Sequence, residues 1–362
     1  MVPPSEAEAF TKQGKSQKLT AIDLFRGLTI LEVVAHHTSG IVLRYAVPDT
    51  LNYWVLEWIN RTLHFAVPAF VFLSAMVLTR SLLKDFNPRR YFLRRATRGA
   101  WPYLLWSVLY IFWYVATGQR PQETLSDPAK WSFFLLNGKA SYHLYFLLVA
   151  LQVYLIIPLL LPLARRKLSI PVMLLLGAAV QIVIYLLNRE ALHIPYPAST
   201  VLWYMLPVMV GAAVGARLDE FPAWWRKYRL ALLAATAATY AVYLPLALAY
   251  VRQEGVNPLL YSSASWAYTM LMALMVLGLA YSLQRFTATW RIWLSIIGTF
   301  SLQIYLIHPA LLQALQTMRA PGGDPSSIAL TMVGYFLVAL IIPTVTALVL
   351  VDTRLSKFMF GR

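Results

Sequence analysis

Apolar runs of about 20 residues, separated by short clusters of charge and turn residues, fill this chain from residue 19 onward. Cutting at those clusters gives the segments 19–43, 54–83, 97–117, 142–163, 168–187, 200–216, 230–251, 265–284, 293–316 and 328–352. These runs are far longer than the about 10 residues a membrane-barrel strand needs, so they predict α-helices. Helical periodicity adds little, because a helix facing lipid and other helices is apolar all round. The expected fold class is an all-α polytopic membrane protein with about ten transmembrane helices and with N- and C-termini cytoplasmic. Residues 1–18 are expected as a cytoplasmic tail, 19–352 as one transmembrane domain, and 353–362 as a second cytoplasmic tail.

Composition points the same way. Hydrophobic residues make up 59% of the chain, charged residues only 13%, and mean hydropathy is +0.60. A soluble domain is about a quarter charged, so the main solvent of this chain is lipid and its expected location is the cell membrane. The 12 Trp and 21 Tyr suit aromatic belts at the two interfaces. The net charge of +16 would suggest nucleic acid in a soluble protein. Here the charges sit in short loops between apolar runs, which is the pattern of topology control, and no nucleic-acid partner is expected. With the N-terminus inside, 22 Lys/Arg fall on the cytoplasmic side and 7 outside, while Arg26 and Arg61 lie within spans. Lys12, Lys15 and Lys18 precede the first run, which is too long for a signal-peptide core and lacks a small-residue cleavage site. It is therefore read as the first span. No cysteine is present, so disulfides are excluded.

The first span, LTAIDLFRGLTILEVVAHHTSGIVLRY, holds Asp23, Arg26, Glu32, His36 and His37. Ionisable groups inside a span cost several kcal/mol each unless they are paired or wet. This helix is therefore expected to face the bundle interior. Arg26 and His37 are eleven residues apart, about three turns, which leaves them roughly 20° apart on one face and about 16 Å apart along the axis. Asp23 stands three residues before Arg26, at ion-pair spacing. Glu32 and His36, four apart, are expected to pair on another face. Asp23, Arg26 and His37 form one polar stripe suited to a path or an elongated ligand. The bland alternative is a buried ion pair that fixes helix packing, beside hydrogen-bonded histidines.

At these residues the chain resembles the membrane acyltransferase 3 family, whose members acylate surface carbohydrates. The family's signature is an arginine and a histidine separated by ten residues in the first span, matched here by Arg26 and His37 with Asp23 ahead. PAFVFLSAMVL at 68–78 resembles the second span, with Ala75 where Gly is usual. YFLRRATRGAWPY at 91–103 resembles the basic approach to the third span. YHLYFLLVALQVYLIIP at 142–158 resembles an HLWF-type fourth span with Tyr145 in place of Trp, and SLQIYLIHP at 301–309 resembles the penultimate-span motif. The resemblance runs from about residue 18 to the end. It implies transfer of an acyl group, usually acetyl, from cytoplasmic acetyl-CoA (acyl-CoA) to a hydroxyl of a carbohydrate acceptor at or beyond the outer face. Some family members carry a further extracytoplasmic domain. None is expected here, so either an extracytoplasmic partner protein completes the transfer or this domain acts alone.

Acyl transfer to a hydroxyl needs a base near neutral pKa and a donor for the oxyanion. His37 is the expected general base, with Asp23 and Arg26 holding the donor's pantetheine arm or orienting the stripe; His36 is the substitute base. Arg94, Arg95 and Arg98 are expected either to bind coenzyme A phosphates or to act as ordinary anchors to membrane lipid. His143, His308 and Tyr305 are candidates for the acceptor side, or else interfacial residues with a hydrogen bond each. Ser74 is a further candidate hydrogen-bond donor, the role of Arg61 and His64 is open, and His193 falls in an outer loop. No metal is expected, for lack of cysteine and of histidine pairs at ligand spacing on one helix face. The competing reading is a transporter or exporter of a glycan or acylated small molecule, since charged stripes occur in both classes. Transporters more often show two related halves, and no internal repeat is visible.

Overall fold

The computed structural model describes residues 6–318, 320–322 and 324–361, with side chains from Thr20 onward. Residues 1–5 of the expected tail, and Arg319 and Arg362 of the charge count, lie outside the described residues. Among the described residues every regular element is helical. In order these are α1 (Glu6–Leu43), α2 (Leu51–Thr62), α3 (Ala66–Lys84), α4 (Pro88–Arg95), α5 (Trp101–Ala116), α6 (Pro128–Asn137), α7 (Tyr145–Arg165) and α8 (Ile170–Leu187). The second half holds α9 (Met205–Ala216), α10 (Phe221–Val251), α11 (Pro258–Leu283), α12 (Thr289–Thr299), α13 (Ser301–Met318), α14 (Pro325–Leu350) and α15 (Arg354–Phe360). Several starts are fixed locally: Asn87, Asp127, Asn257 and Asp324 each accept a backbone N–H of the first turn and precede a proline.

Six helical stretches are long and apolar enough to cross a membrane: α2–α3, α7, α8 with the π-turn that follows it, α10, α11 and α14. The pair α12–α13, bent by 77°, makes a seventh if it is one span. The other expected spans fall on α1, α5 and α9. The acidic, basic and histidine side chains of α1 lower its apolarity, while α5 and α9 have only 16 and 12 residues. Large apolar side chains such as Leu159, Leu175, Leu230 and Val349 are more than 70% exposed. Their helices turn that face to the surroundings, as lipid-facing helices do.

The expectation that α1 lies inside the bundle holds. It packs against α2, α3, α11, α12, α13 and α14. Its Ala21, Leu24 and Phe25 join a core shared with α3, α9, α10 and α11, and its Ile30, Val33 and Val34 join another shared with α5, α13 and α14. Glycine makes two approaches possible. A Cβ on Gly27 would overlap the Leu294 carbonyl oxygen, and one on Gly298 would overlap that of Asp23, so α1 and α12 meet backbone to backbone. Gly211 and Gly215 of α9, four residues apart on one face, likewise lie on the Phe72 and Met76 carbonyls of α3. Ala75 packs in the same contact: its Cβ is 2.9 Å from where a Cβ on Gly211 would be.

The backbone contact between α1 and α12 sets a test. Gly298→Ala should destabilise the protein by at least the about 1–3 kcal/mol typical of overpacking, whereas Gly334→Ala, which meets no atom within 4 Å, should be neutral. Thermal unfolding in detergent measures both; equal melting temperatures would refute the contact.

Candidate functional site

Arg26, His36 and His37 of α1 open into two cavities. One, of about 290 Å³, is lined by Arg26, Ser74, Arg95, Arg98, Tyr154 and Ser301, with Phe360 among its apolar walls. The second, of about 220 Å³, is lined by His36, His37, His64, His143, Tyr145, Tyr204 and the aromatic pair Trp203 and Trp266. Phe70, Phe146 and Tyr305 line both. Their rings form a partition, with Phe146 5.9 Å from Phe70 and 5.6 Å from Tyr305 between centroids.

In the arginine cavity, Arg26 Nη1 lies 3.3 Å from Asp23 Oδ1, the pairing expected from their spacing. The Arg95 guanidinium stands over the rings of Tyr91 (5.6 Å) and Tyr154 (5.2 Å). Arg95 caps and Arg98 lies within a π-helical turn, Ala96–Ala100, that joins α4 to α5. Such turns shift the helical phase and recur at functional sites. Here the turn accompanies a split of the basic cluster: Arg95 and Arg98 line the cavity, while Arg94 is exposed and lines neither cavity. Residues 354–360, expected to be part of a tail, form α15 and dock on α5. Trp101 and Trp106 donate their indole N–H groups to the carbonyls of Phe358 (2.6 Å) and Met359 (2.9 Å), and Phe360 stacks on Trp106.

Five of the chain's six histidines cluster here from four places in the sequence: His36, His37, His64 and His143 line the cavity, and His308 packs against His37 and His143. The ring of His37 stacks on His308 at 5.4 Å and meets Tyr142 edge-on at 4.9 Å. His36 lies 5.5 Å from His37 and 5.6 Å from His64. His143 is 6.0 Å from His308, and Tyr305 donates its hydroxyl to the His143 carbonyl. His193 lies apart, in the left-handed region (φ 47°) after α8. His36 does not find Glu32: its Nδ1 bonds the Asn60 carbonyl at 3.0 Å, and Asn60 donates to the His36 carbonyl and to Ser39. Glu32 is buried, and its Oε1 has no hydrogen-bond partner. Arg61 sits one residue past Asn60, with Nε buried and without a partner.

Two bonds fix imidazole tautomers. His308 Nδ1 lies 2.9 Å from the Ile304 carbonyl. A carbonyl oxygen only accepts, so Nδ1 carries the proton and Nε2 presents a lone pair. That Nε2 is buried without a partner, as is Nε2 of His143, whose Nδ1 contacts Ser141 Oγ at 3.1 Å. The same reasoning puts the proton of a neutral His36 on Nδ1. Among the described residues no group of three or more His, Cys, Asp or Glu is arranged to hold a metal ion.

Six or more long apolar helices around an arginine cavity and a histidine cavity that share one partition are the architecture of a multi-pass integral membrane protein. Residues 19–351 match the family model of the acyltransferase domain Acyl_transf_3, and the chain belongs to that family. It is also similar, at 21% identity, to the probable poly-beta-1,6-N-acetyl-D-glucosamine export protein of Staphylococcus aureus strain MRSA252, over 96% of this chain and 97% of that protein. The forms from strains MSSA476 and NCTC 8325 / PS 47 match with the same identity and coverage. No solved structure matches.

Sequence reasoning missed Phe360, Asn60 and the Phe70–Phe146 partition. The first two carry no local signal, because their contacts come from residues far away in the chain. The tautomer of His308 is directly testable. Nitrogen-15 NMR of histidine-labelled protein should report Nδ1–H for His308, and an Nε2–H form would contradict the bond to Ile304.

Proposed function

We propose that this protein transfers an acyl group, acetyl in the simplest case, from cytoplasmic acyl-CoA to a hydroxyl of an extracytoplasmic or membrane-proximal carbohydrate. The observation that carries this reading is the meeting of the two cavities at Phe70, Phe146 and Tyr305. Family membership supports acyl transfer, and the Lys/Arg asymmetry supports ten spans with both termini cytoplasmic. In that orientation the arginine cavity opens toward the cytoplasm and the histidine cavity toward the outside.

Arg95 and Arg98 take coenzyme A phosphates through charge-assisted hydrogen bonds. Arg26, oriented by Asp23, holds the pantetheine arm or the acyl oxygen. The break before Ser301 puts the N-terminal end of α13 at the same cavity, where the helix dipole also favours negative charge. On the other side, His37 takes the proton of the acceptor hydroxyl as that oxygen attacks the thioester carbonyl carbon. The C–S bond then breaks, and the leaving thiolate recovers the proton from the His37 imidazolium. The products are an ester and free coenzyme A.

A second reading is export of a glycan without chemistry, favoured by the names of the staphylococcal relatives. Purified protein in liposomes separates the two. With acetyl-CoA and an acceptor-sugar mixture, wild type should form acetyl ester. His37→Ala should bind coenzyme A normally while losing about 10²–10⁴-fold in rate. Glycan flux with no ester formed would favour export. A companion test concerns the donor: Arg95→Ala and Arg98→Ala should each weaken coenzyme A binding by the about 1.5–3 kcal/mol of a charge-assisted bond, and Arg94→Ala should leave it unchanged. Equal losses in all three would remove the assignment of the arginine cavity to coenzyme A.

A further inference from the structure

The wall of the histidine cavity formed by Trp203 and Trp266 has no role in the scheme above. Its construction is specific. Two short 3₁₀ turns, Pro197–Ser199 and Val201–Tyr204, lead into α9. Two side-chain amides clamp them. Gln152 of α7 donates to the Ser199 carbonyl (2.9 Å) and accepts from the Val201 N–H (2.8 Å). Gln181 of α8, fully buried, donates to the Leu202 carbonyl (3.4 Å) and accepts from the Leu206 N–H (3.3 Å). The Tyr204 hydroxyl closes the turn on the Ala198 carbonyl at 3.2 Å. A connection held at both ends in this way is pre-organised.

The clamped turn presents Trp203 against Trp266 of α11, with ring centroids 6.0 Å apart at 82°, and Tyr185 braces both at 5.7 Å. Both indoles are only partly buried and line the cavity that contains His37. Among the described residues neither indole N–H makes a hydrogen bond. Ser265 and Thr269 add hydroxyls to the same wall. No Asp, Glu, Lys or Arg lines this cavity.

We infer that Trp203 and Trp266 form a subsite for one uncharged pyranose ring of the acceptor; the inference rests on the acyl-transfer reading for its purpose but not for its binding chemistry. The negative face of an indole attracts the polarised C–H groups on the flat side of a sugar ring, while the N–H edge serves its hydroxyls. At about 220 Å³ the cavity is below the ~300 Å³ at which drug-sized sites begin. It therefore suits a single ring rather than a run of sugars. With no cationic or anionic side chain in the lining, the carboxylate of an acidic sugar or the ammonium of an amino sugar would be desolvated without a partner. A neutral ring carries no such penalty, and its hydroxyls meet the imidazoles.

Binding separates this subsite from catalysis. Full-length protein in nanodiscs is titrated calorimetrically with three probes: methyl glucopyranoside, methyl glucuronide and methyl 2-amino-2-deoxyglucopyranoside. The neutral glycoside should bind tightest. Trp203→Ala and Trp266→Ala should each weaken it by about tenfold, the effect of losing one aromatic contact. Trp203→Phe and Trp266→Phe, which keep a ring, should fall between wild type and alanine, so that a folding defect is told apart from a lost contact. Trp290→Ala, at a surface position 47% exposed, should match wild type. Unchanged binding in both alanine variants overturns the subsite, as does tighter binding of a charged probe or no binding of any probe by wild type. Neutral-sugar binding that depends on both tryptophans, in a protein that forms no ester, leaves the subsite standing and overturns the acyl-transfer reading instead.

Discussion

Ionisable side chains cannot rest against hydrocarbon, and the arrangement of the whole bundle follows from placing five of them on one helix. Asp23, Arg26, Glu32, His36 and His37 oblige α1 to be sheathed by protein on every side. Six other helices provide the sheath. The closest of them, α12, comes near enough only because Gly27 and Gly298 lack side chains. Glycine is thus where a charge-bearing helix gains a tight, dry neighbour, and Arg26, His36 and His37 are left facing the two spaces that remain.

Those spaces have different chemistries. One is built on guanidinium groups held by an aspartate and by tyrosine rings; the other is built on imidazoles, phenols and indoles without a permanent charge. An electrostatically positive chamber and a neutral, hydrogen-bonding one therefore lie along a single helix, separated by about three turns and closed from each other by three aromatic rings. In the proposed acyl transfer, this separation holds the anionic donor at one end and the proton-accepting imidazole at the other.

Much of this was legible in the chain. The eleven-residue spacing put Arg26 and His37 on one face, the three-residue spacing paired Asp23 with Arg26, and the density of polar residues put α1 in the interior. What was not legible depends on contacts between distant segments. The convergence of His64, His143 and His308 on His36 and His37 needs α3, α7 and α13 to be in place. Glu32 and His36 have the spacing of a pair, yet the Asn60 carbonyl, twenty-four residues away, takes the imidazole N–H. The split of Arg94 from Arg95 and Arg98 accompanies a π-turn with no distinctive sequence, and α15 is fixed by the indoles of Trp101 and Trp106 rather than by its own seven residues. The α12–α13 bend interrupts a run that reads as one span.

Tyr305 belongs to both chambers and is also tied by its hydroxyl to the backbone of His143. Two ligands that share a wall cannot have independent affinities if either one displaces it. Any occupant that moves this ring in the arginine chamber also moves it for an occupant among the histidines, and thermodynamic linkage makes the effect reciprocal: the factor by which the first changes the second is the factor by which the second changes the first.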